Sequence, residues 1–215
     1  MKVLVACEYS GIVRDAFLKR GHNAISCDLL PTESKIMIED AHYIGDVRDI
    51  LDDDWDLMIA HPPCTYLSVT GTRWLYHPND MNLDRNLRRP HPKFPNRPKQ
   101  MLDAIDFVKV LMNAPIPKIA IENPLSLISS YIRKADQCIQ PYHFGHLEQK
   151  RTCLWLKNLP KLEKTDDRSE IVKAMPKTER AKIWAMPPSE ERSKLRSLFF
   201  TGIAEAMADQ WGNEV

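Results

Sequence analysis

Lys2-Val3-Leu4-Val5-Ala6-Cys7-Glu8-Tyr9-Ser10-Gly11-Ile12-Val13-Arg14-Asp15-Ala16-Phe17-Leu18-Lys19-Arg20-Gly21-His22-Asn23-Ala24-Ile25-Ser26-Cys27-Asp28 is the stretch that decides the fold. Residues 2–6 form a short apolar run rich in valine and leucine, the pattern of a strand buried on both faces in a parallel sheet. A turn follows at residues 7–11. Ile12, Val13, Ala16, Phe17 and Leu18 then recur at helical spacing, and Gly21 closes the helix. Residues 23–27 read as a second strand, ending on Asp28. Ile44 leads into a turn at Gly45-Asp46. Residues 55–60 are a strongly apolar strand stopped by His61-Pro62-Pro63. Strand, helix, strand, acidic residue, strand predicts an α/β, Rossmann-like fold, mostly a parallel sheet with helices on both faces.

Residues 72–99 interrupt the pattern. They carry Pro78, Pro90, Pro92, Pro95 and Pro98, and Arg73, Arg85, Arg88, Arg89, Lys93, Arg97 and Lys99 against Asp80 and Asp84. This predicts a long, basic, proline-rich loop beside the site, because long loops in compact domains are usually functional or disordered. Regular structure resumes at Gln100, with Met101, Ile105, Val108 and Met112 on one helical face. Residues 116–121 read as a strand ending at Glu122-Asn123-Pro124. Residues 125–134 read as a helix, 152–156 as a strand, and 157–195 as loop with short helices. A last helix follows Thr201-Gly202.

The chain has 215 residues, so a single domain over residues 1–215 is expected from the usual range of roughly 100–200 residues. The net charge of +1 excludes a global electrostatic signature for nucleic acid; an anion-binding surface has to be local. The cysteines at 7, 27, 64, 138 and 153 are odd in number and contain no C-x-x-C pair, so they support neither a zinc ribbon nor a disulfide framework. Reduced thiols in a cytoplasm, with no metal, follow as the expectation. The first residues read as a strand rather than a leader, and no apolar run approaches the ~20 residues that span a bilayer.

An open parallel sheet presents ligands outside the carboxyl ends of its strands. Glu8, Ser10, Gly11, Asp28, Asp46, Cys64 and Glu122 all follow apolar runs. The turn at 7–11 meets a helix N-terminus, whose free N–H groups suit a carboxylate or phosphate. Asp28 is placed to accept hydrogen bonds from a ribose. In His61-Pro62-Pro63-Cys64 the two prolines stop the ladder and fix the direction of the next side chain. Alone, such a cysteine is better read as a buried structural residue. His61 reads as a strand-end residue. Trp55, Trp155, Trp184 and Trp211 read as core, whereas Trp74 in the basic loop is available for base stacking.

Pro63-Cys64-Thr65-Tyr66-Leu67-Ser68-Val69-Thr70-Gly71 resembles the Pro-Cys loop of the DNA (cytosine-5)-methyltransferases, with Ser68 and Gly71 at the family's offsets. Other matches come in the family's order. Glu8-Tyr9-Ser10-Gly11 stands in the place of the first motif, then Asp28, Gly45-Asp46 and Glu122-Asn123-Pro124. Gln149-Lys150-Arg151 and Thr201-Gly202-Ile203-Ala204 complete the set. The resemblance implies the S-adenosylmethionine-dependent methyltransferase form of the fold. It implies Cys64 as nucleophile at cytosine carbon 6, Glu122 as acid at ring nitrogen 3 and Arg151 on the ring carbonyl. It also implies contacts to S-adenosyl-L-methionine from Glu8, Ser10, Gly11, Asp28, Asp46 and Pro62. Substrate contacts are expected from Ser68, Arg73, Trp74, Asn123 and Gln149.

The chain departs from that family at several places. The first motif keeps one glycine, Cys153 stands where a second arginine is usual, and Thr201-Gly202 replaces a Gly-Asn pair. Residues 157–195 form a reduced insertion where the family has a large target-recognition domain. Methylation of DNA with little sequence specificity is therefore the leading expectation. Methylation of a free cytidine nucleotide and an inactive nucleic-acid-binding relative are the alternatives. A compact catalytic core of this kind suits a phage or prophage gene.

Overall fold

The structure, a computed structural model, describes residues 1–36, 38–187 and 189–213, without the side chains of Trp184 and Ser193. Strands β1 (Lys2–Ala6), β2 (Asn23–Asp28), β3 (His42–Ile44), β4 (Leu57–Ala60), β5 (Lys118–Pro124), β6 (Gln137–Ile139) and β7 (Thr152–Lys157) form one sheet. Their order across it is β3-β2-β1-β4-β5-β7-β6. The first five are parallel to one another, and β7 runs antiparallel to both β5 and β6.

Alternation along the central strands explains the layers. Val3, Val5, Leu57 and Ile59 face helices α1 (Ile12–Leu18) and α8 (Thr201–Gly212), whose Phe17, Met207 and Trp211 are buried against them. Leu4, Ala6, Met58 and Ala60 face the opposite way, onto Met101, Ile105 and Val108 of α2 (Arg97–Met112). A strand apolar on both sides needs helices on both sides, and these two packings meet that demand. Burying each such Leu, Ile, Phe or Met side chain contributes roughly 1.5–3 kcal/mol. The architecture is thus a Rossmann-like α/β sandwich.

Successive strands are added in one direction from β1 to β3 and in the other from β4 to β5. The crossover through α1 carries the chain from β1 to β2, while that through α2 carries it from β4 to β5 on the other side. The carboxyl ends of β1 and β4 therefore border the crevice at the topological switch point.

Several sequence expectations change in detail. The helix expected over residues 125–134 shrinks to α3 (Ile128–Tyr131). Leu125 O and Leu127 N are instead bonded to Val69 N and Leu67 O, so this backbone pairs with the loop after Cys64. Helix α2 begins at Arg97, with Pro98 in its first turn where a missing N–H costs nothing. β6 was not expected; it is a three-residue edge strand. Residues 157–195 fold as expected into loops and short helices, α4 (Ser169–Ala174), α5 (Lys177–Arg180), α6 (Lys182–Ala185) and the start of α7 (Glu190–Ser197). Trp55, Trp155 and Trp211 are buried, as expected; the side chain of Trp184 lies outside the described residues. No described helix is long and apolar enough to cross a membrane, and no described cluster of His, Cys, Asp and Glu could hold a metal ion.

Candidate active site

Register aligns the strand ends in one row. Asp28 pairs with Ile44, Ala6 with Cys27 and with Ala60, and Ala60 with Ile121. Asp28, Cys7, His61 and Glu122 therefore leave the sheet side by side, on β2, β1, β4 and β5. Residues far apart in sequence are brought together because they share one level of one parallel ladder.

Cys64 sits one short turn beyond that row. Its carbonyl accepts from Leu67 N at 3.1 Å and Ser68 N at 2.9 Å, which closes the chain into a tight loop. Arg97 clamps the same loop by donating to Thr65 O at 2.8 Å. Ser68 lies opposite Ser126, and its Oγ is 3.2 Å from Thr70 Oγ1. Pro62 is buried, and its carbonyl accepts from Asn123 Nδ2 at 2.8 Å. The Asn123 side chain thus ties β5 to the proline pair; its own Oδ1 is buried without a partner in the protein.

The Cys64 thiol is pushed up first by burial and next by the Glu122 carboxylate, and pulled down by Arg196 and Lys150. Glu122 is itself held. Its Oε2 lies 3.0 Å from His61 Nδ1, and both side chains are almost wholly shielded from solvent. Cys64, Glu122 and His61 thus form one electrostatically linked group.

The turn after β1 departs from its expected use. Glu8 is 4% exposed and turns its carboxylate onto α1, accepting from Val13 N at 2.7 Å and Arg14 N at 3.2 Å. Ser10 Oγ donates to the same group at 3.1 Å. The N–H groups offered to a ligand in the sequence reading are therefore satisfied by the chain's own carboxylate. Gly11 has φ +74, and a Cβ there would lie 2.6 Å from Ser34 Cβ. Its lack of a side chain admits the loop after β2.

Asp28 is half-buried, with Oδ1 accepting from Leu30 N at 3.0 Å. Leu29 beside it and Ile44 on β3 are 74% and 61% exposed, an apolar shelf next to a carboxylate. Asp46 is engaged by Arg48 and held down to about 2 by that guanidinium.

The remaining candidates lie elsewhere. Arg151 is exposed at the start of β7, and its charge bears on Cys153. Gln149 is exposed, with its N–H bonded to Arg180 O at 2.7 Å. Trp74 is packed against His91 and Phe94, at 5.2 and 5.5 Å between ring centroids, with the Arg73 guanidinium 4.8 Å from its ring. The ring expected to be free for a base is engaged. Arg85, Arg88 and Arg97 lie over Tyr131, Tyr76 and Tyr66, and Arg89 pairs with the buried Asp80. The basic loop is a folded arm built on arginine–aromatic contacts.

Sequence reasoning missed a strap across the crevice. Ser197 Oγ is 2.8 Å from Tyr9 OH, Lys194 Nζ is 2.7 Å from Glu33 Oε1, and the Phe199 ring packs 4.7 Å from His61. Lys150 donates to Arg196 O at 2.8 Å. Residues 194–199 thus bind the turn after β1, the loop after β2 and the end of β4. Its apolar residues, Leu195, Leu198 and Phe199, follow neither a strand nor a long helical period, so no sequence pattern signals this role.

No protein-family profile matches the chain. No curated protein is similar to it in sequence. One solved structure that it resembles is that of a protein encoded within a prophage of E. coli, provisionally described as a DNA modification methyltransferase. The two are 10% identical with a TM-score of 0.42 over 82% of this chain and 56% of the other, so this chain spans little more than half the length of that protein.

Proposed function

We propose that the chain methylates cytosine at carbon 5, using S-adenosyl-L-methionine and acting on DNA, with Cys64 as the nucleophile. One observation carries the reading. The Pro-Cys loop that carries Cys64 is tied by Asn123 Nδ2 to the end of the strand that carries Glu122, at the topological switch point of a doubly wound sheet, and the Glu122 charge acts on the Cys64 thiol. Few reactions need that combination. Carbon 5 of cytosine is a poor nucleophile until a thiolate adds to carbon 6. The Cys64 thiol loses its proton to solvent and its sulfur bonds to carbon 6. The ring electron pair moves toward nitrogen 3, which takes a proton from Glu122. Once carbon 5 bears the methyl group, its hydrogen leaves as a proton to solvent, the carbon 6–sulfur bond breaks to release the Cys64 thiolate, and nitrogen 3 returns its proton to Glu122. Arg151 is the group that the resemblance assigns to the ring carbonyl, and the positive charge of Arg196 acts on the Cys64 thiol.

The donor set fits the cofactor. Asp28 offers a carboxylate for ribose hydroxyls, and Leu29 and Ile44 offer an apolar shelf for a purine. Ser10, Gly11, Asp46 and Pro62 border the same row. When bound, the cofactor supplies an electrophilic methyl group on a sulfonium. Glu8 acts indirectly, by shaping the turn. Calorimetry tests this part: binding at micromolar concentration is expected, with Asp28→Ala weakening it at least 10-fold, and wild-type protein that takes up no heat contradicts it.

A second reading has its own observation. The loop arginines that would meet phosphates lie over aromatic rings, which favours a small substrate such as a free deoxycytidine nucleotide. Mass spectrometry after incubation with DNA and with deoxycytidine monophosphate separates the two.

A further inference from the structure

His61 is adjacent to Cys64 across the two prolines, yet the chemistry above does not use it. Its position is strongly determined. The backbone N–H donates to Ala6 O at 2.9 Å, fixing it between β1 and β5. The ring packs against Phe199 of the strap at 4.7 Å. Nδ1 reaches Glu122 Oε2 at 3.0 Å. Nε2 is buried and has no partner in the protein. Toward a carboxylate, which only accepts, Nδ1 carries the hydrogen of this bond.

We infer that His61 is a positioning residue for Glu122, holding Oε2 so that Oε1 alone delivers the proton to the substrate ring. The inference rests on the cytosine reading of the site. Its proton account closes without a relay. Glu122, a carboxylate in the resting protein, takes a proton from solvent at Oε1 as the substrate is bound; that Oε1–H bond then breaks and the N3–H bond forms as sulfur adds to carbon 6. The electron pair left on the carboxylate is stabilised by the Nδ1–H of His61, which keeps its own hydrogen. On elimination, N3 returns the proton to Oε1. A carboxylate formed in a water-poor cleft needs such a donor, because leaving it bare costs far more than in water. Among the described residues, Cys64 and Cys153 feel the Glu122 charge, and Arg196 and Lys150 act on Cys64 from the other side.

The test separates this role from general scaffolding. Addition of Cys64 makes carbon 5 enamine-like, so its hydrogen exchanges with solvent even without methyl transfer. The release of tritium from [5-³H]cytosine DNA therefore reads the Cys64–Glu122 step alone. His61→Ala is expected to lower exchange and kcat about 10- to 100-fold, the scale of one lost charge-assisted hydrogen bond. Calorimetric affinity for S-adenosylmethionine and the melting temperature should stay near wild type. His61→Asn places an amide N–H where Nδ1 was and is expected to recover exchange to within a few-fold. The inference is overturned if alanine leaves exchange unchanged, if asparagine rescues nothing, or if exchange falls only in step with cofactor affinity and melting temperature. Wild-type protein that exchanges no tritium from any cytosine substrate would instead defeat the reading of the site, and this inference with it.

Discussion

Cys64 is under opposing charges. Burial and Glu122 raise its pKa; Arg196 and Lys150 lower it. The balance leaves a thiol above its ordinary value, so most of the resting protein is unreactive at neutral pH. The signs make a prediction without any substrate. Glu122→Gln removes a negative neighbour, so the thiolate becomes easier to form and the alkylation profile of Cys64 moves to lower pH. Arg196→Ala removes a positive neighbour and moves the profile to higher pH. Iodoacetamide kinetics with peptide mapping read both. Cys7, Cys27 and Cys153 are each pushed up to about 12, mainly by burial, and stay protonated over that range. Unmoved profiles in both variants would mean that Cys64 does not face these groups.

At the scale of elements, the start of α8 shows two effects competing at one position. Gly202 in a helix should gain about 1 kcal/mol of propensity on becoming alanine. A Cβ there, however, would land on the carbonyl oxygen of Phe144, and Gly202 N also donates to His146 Nε2 at 3.0 Å. Forcing two backbones apart costs about 1–3 kcal/mol or more, so packing wins. Gly202→Ala is expected to destabilise the protein by roughly 1–2 kcal/mol net in urea unfolding; a stabilised variant would contradict the packing. Gly202 is needed because two elements touch, and no local pattern announces that. Strand ends were legible because a parallel sheet writes them as apolar runs broken by polar residues. The strap was not, since its hold on the crevice consists of single side chains, Tyr9 with Ser197 and Lys194 with Glu33, drawn from distant segments.

Across the whole molecule, one level of the sheet gathers Asp28, Cys7, His61 and Glu122, and the Pro-Cys loop folds over it. Asp28, Cys64 and Glu122 were readable from the sequence because each ends an apolar run. Glu8 and Trp74 were readable as polar or aromatic groups near the site, but not as groups already satisfied within it: one caps α1, the other packs on His91 and Phe94. His61 looked like a plain strand end, since its partner Glu122 lies on another strand. The central claim is that this gathering performs covalent chemistry on cytosine. Incubation of purified protein with S-adenosylmethionine and DNA, followed by nucleoside mass spectrometry, tests it most directly. The expected result is 5-methylcytosine with the wild type and none with Cys64→Ser; 5-methylcytosine at equal yield from the serine variant would contradict the account.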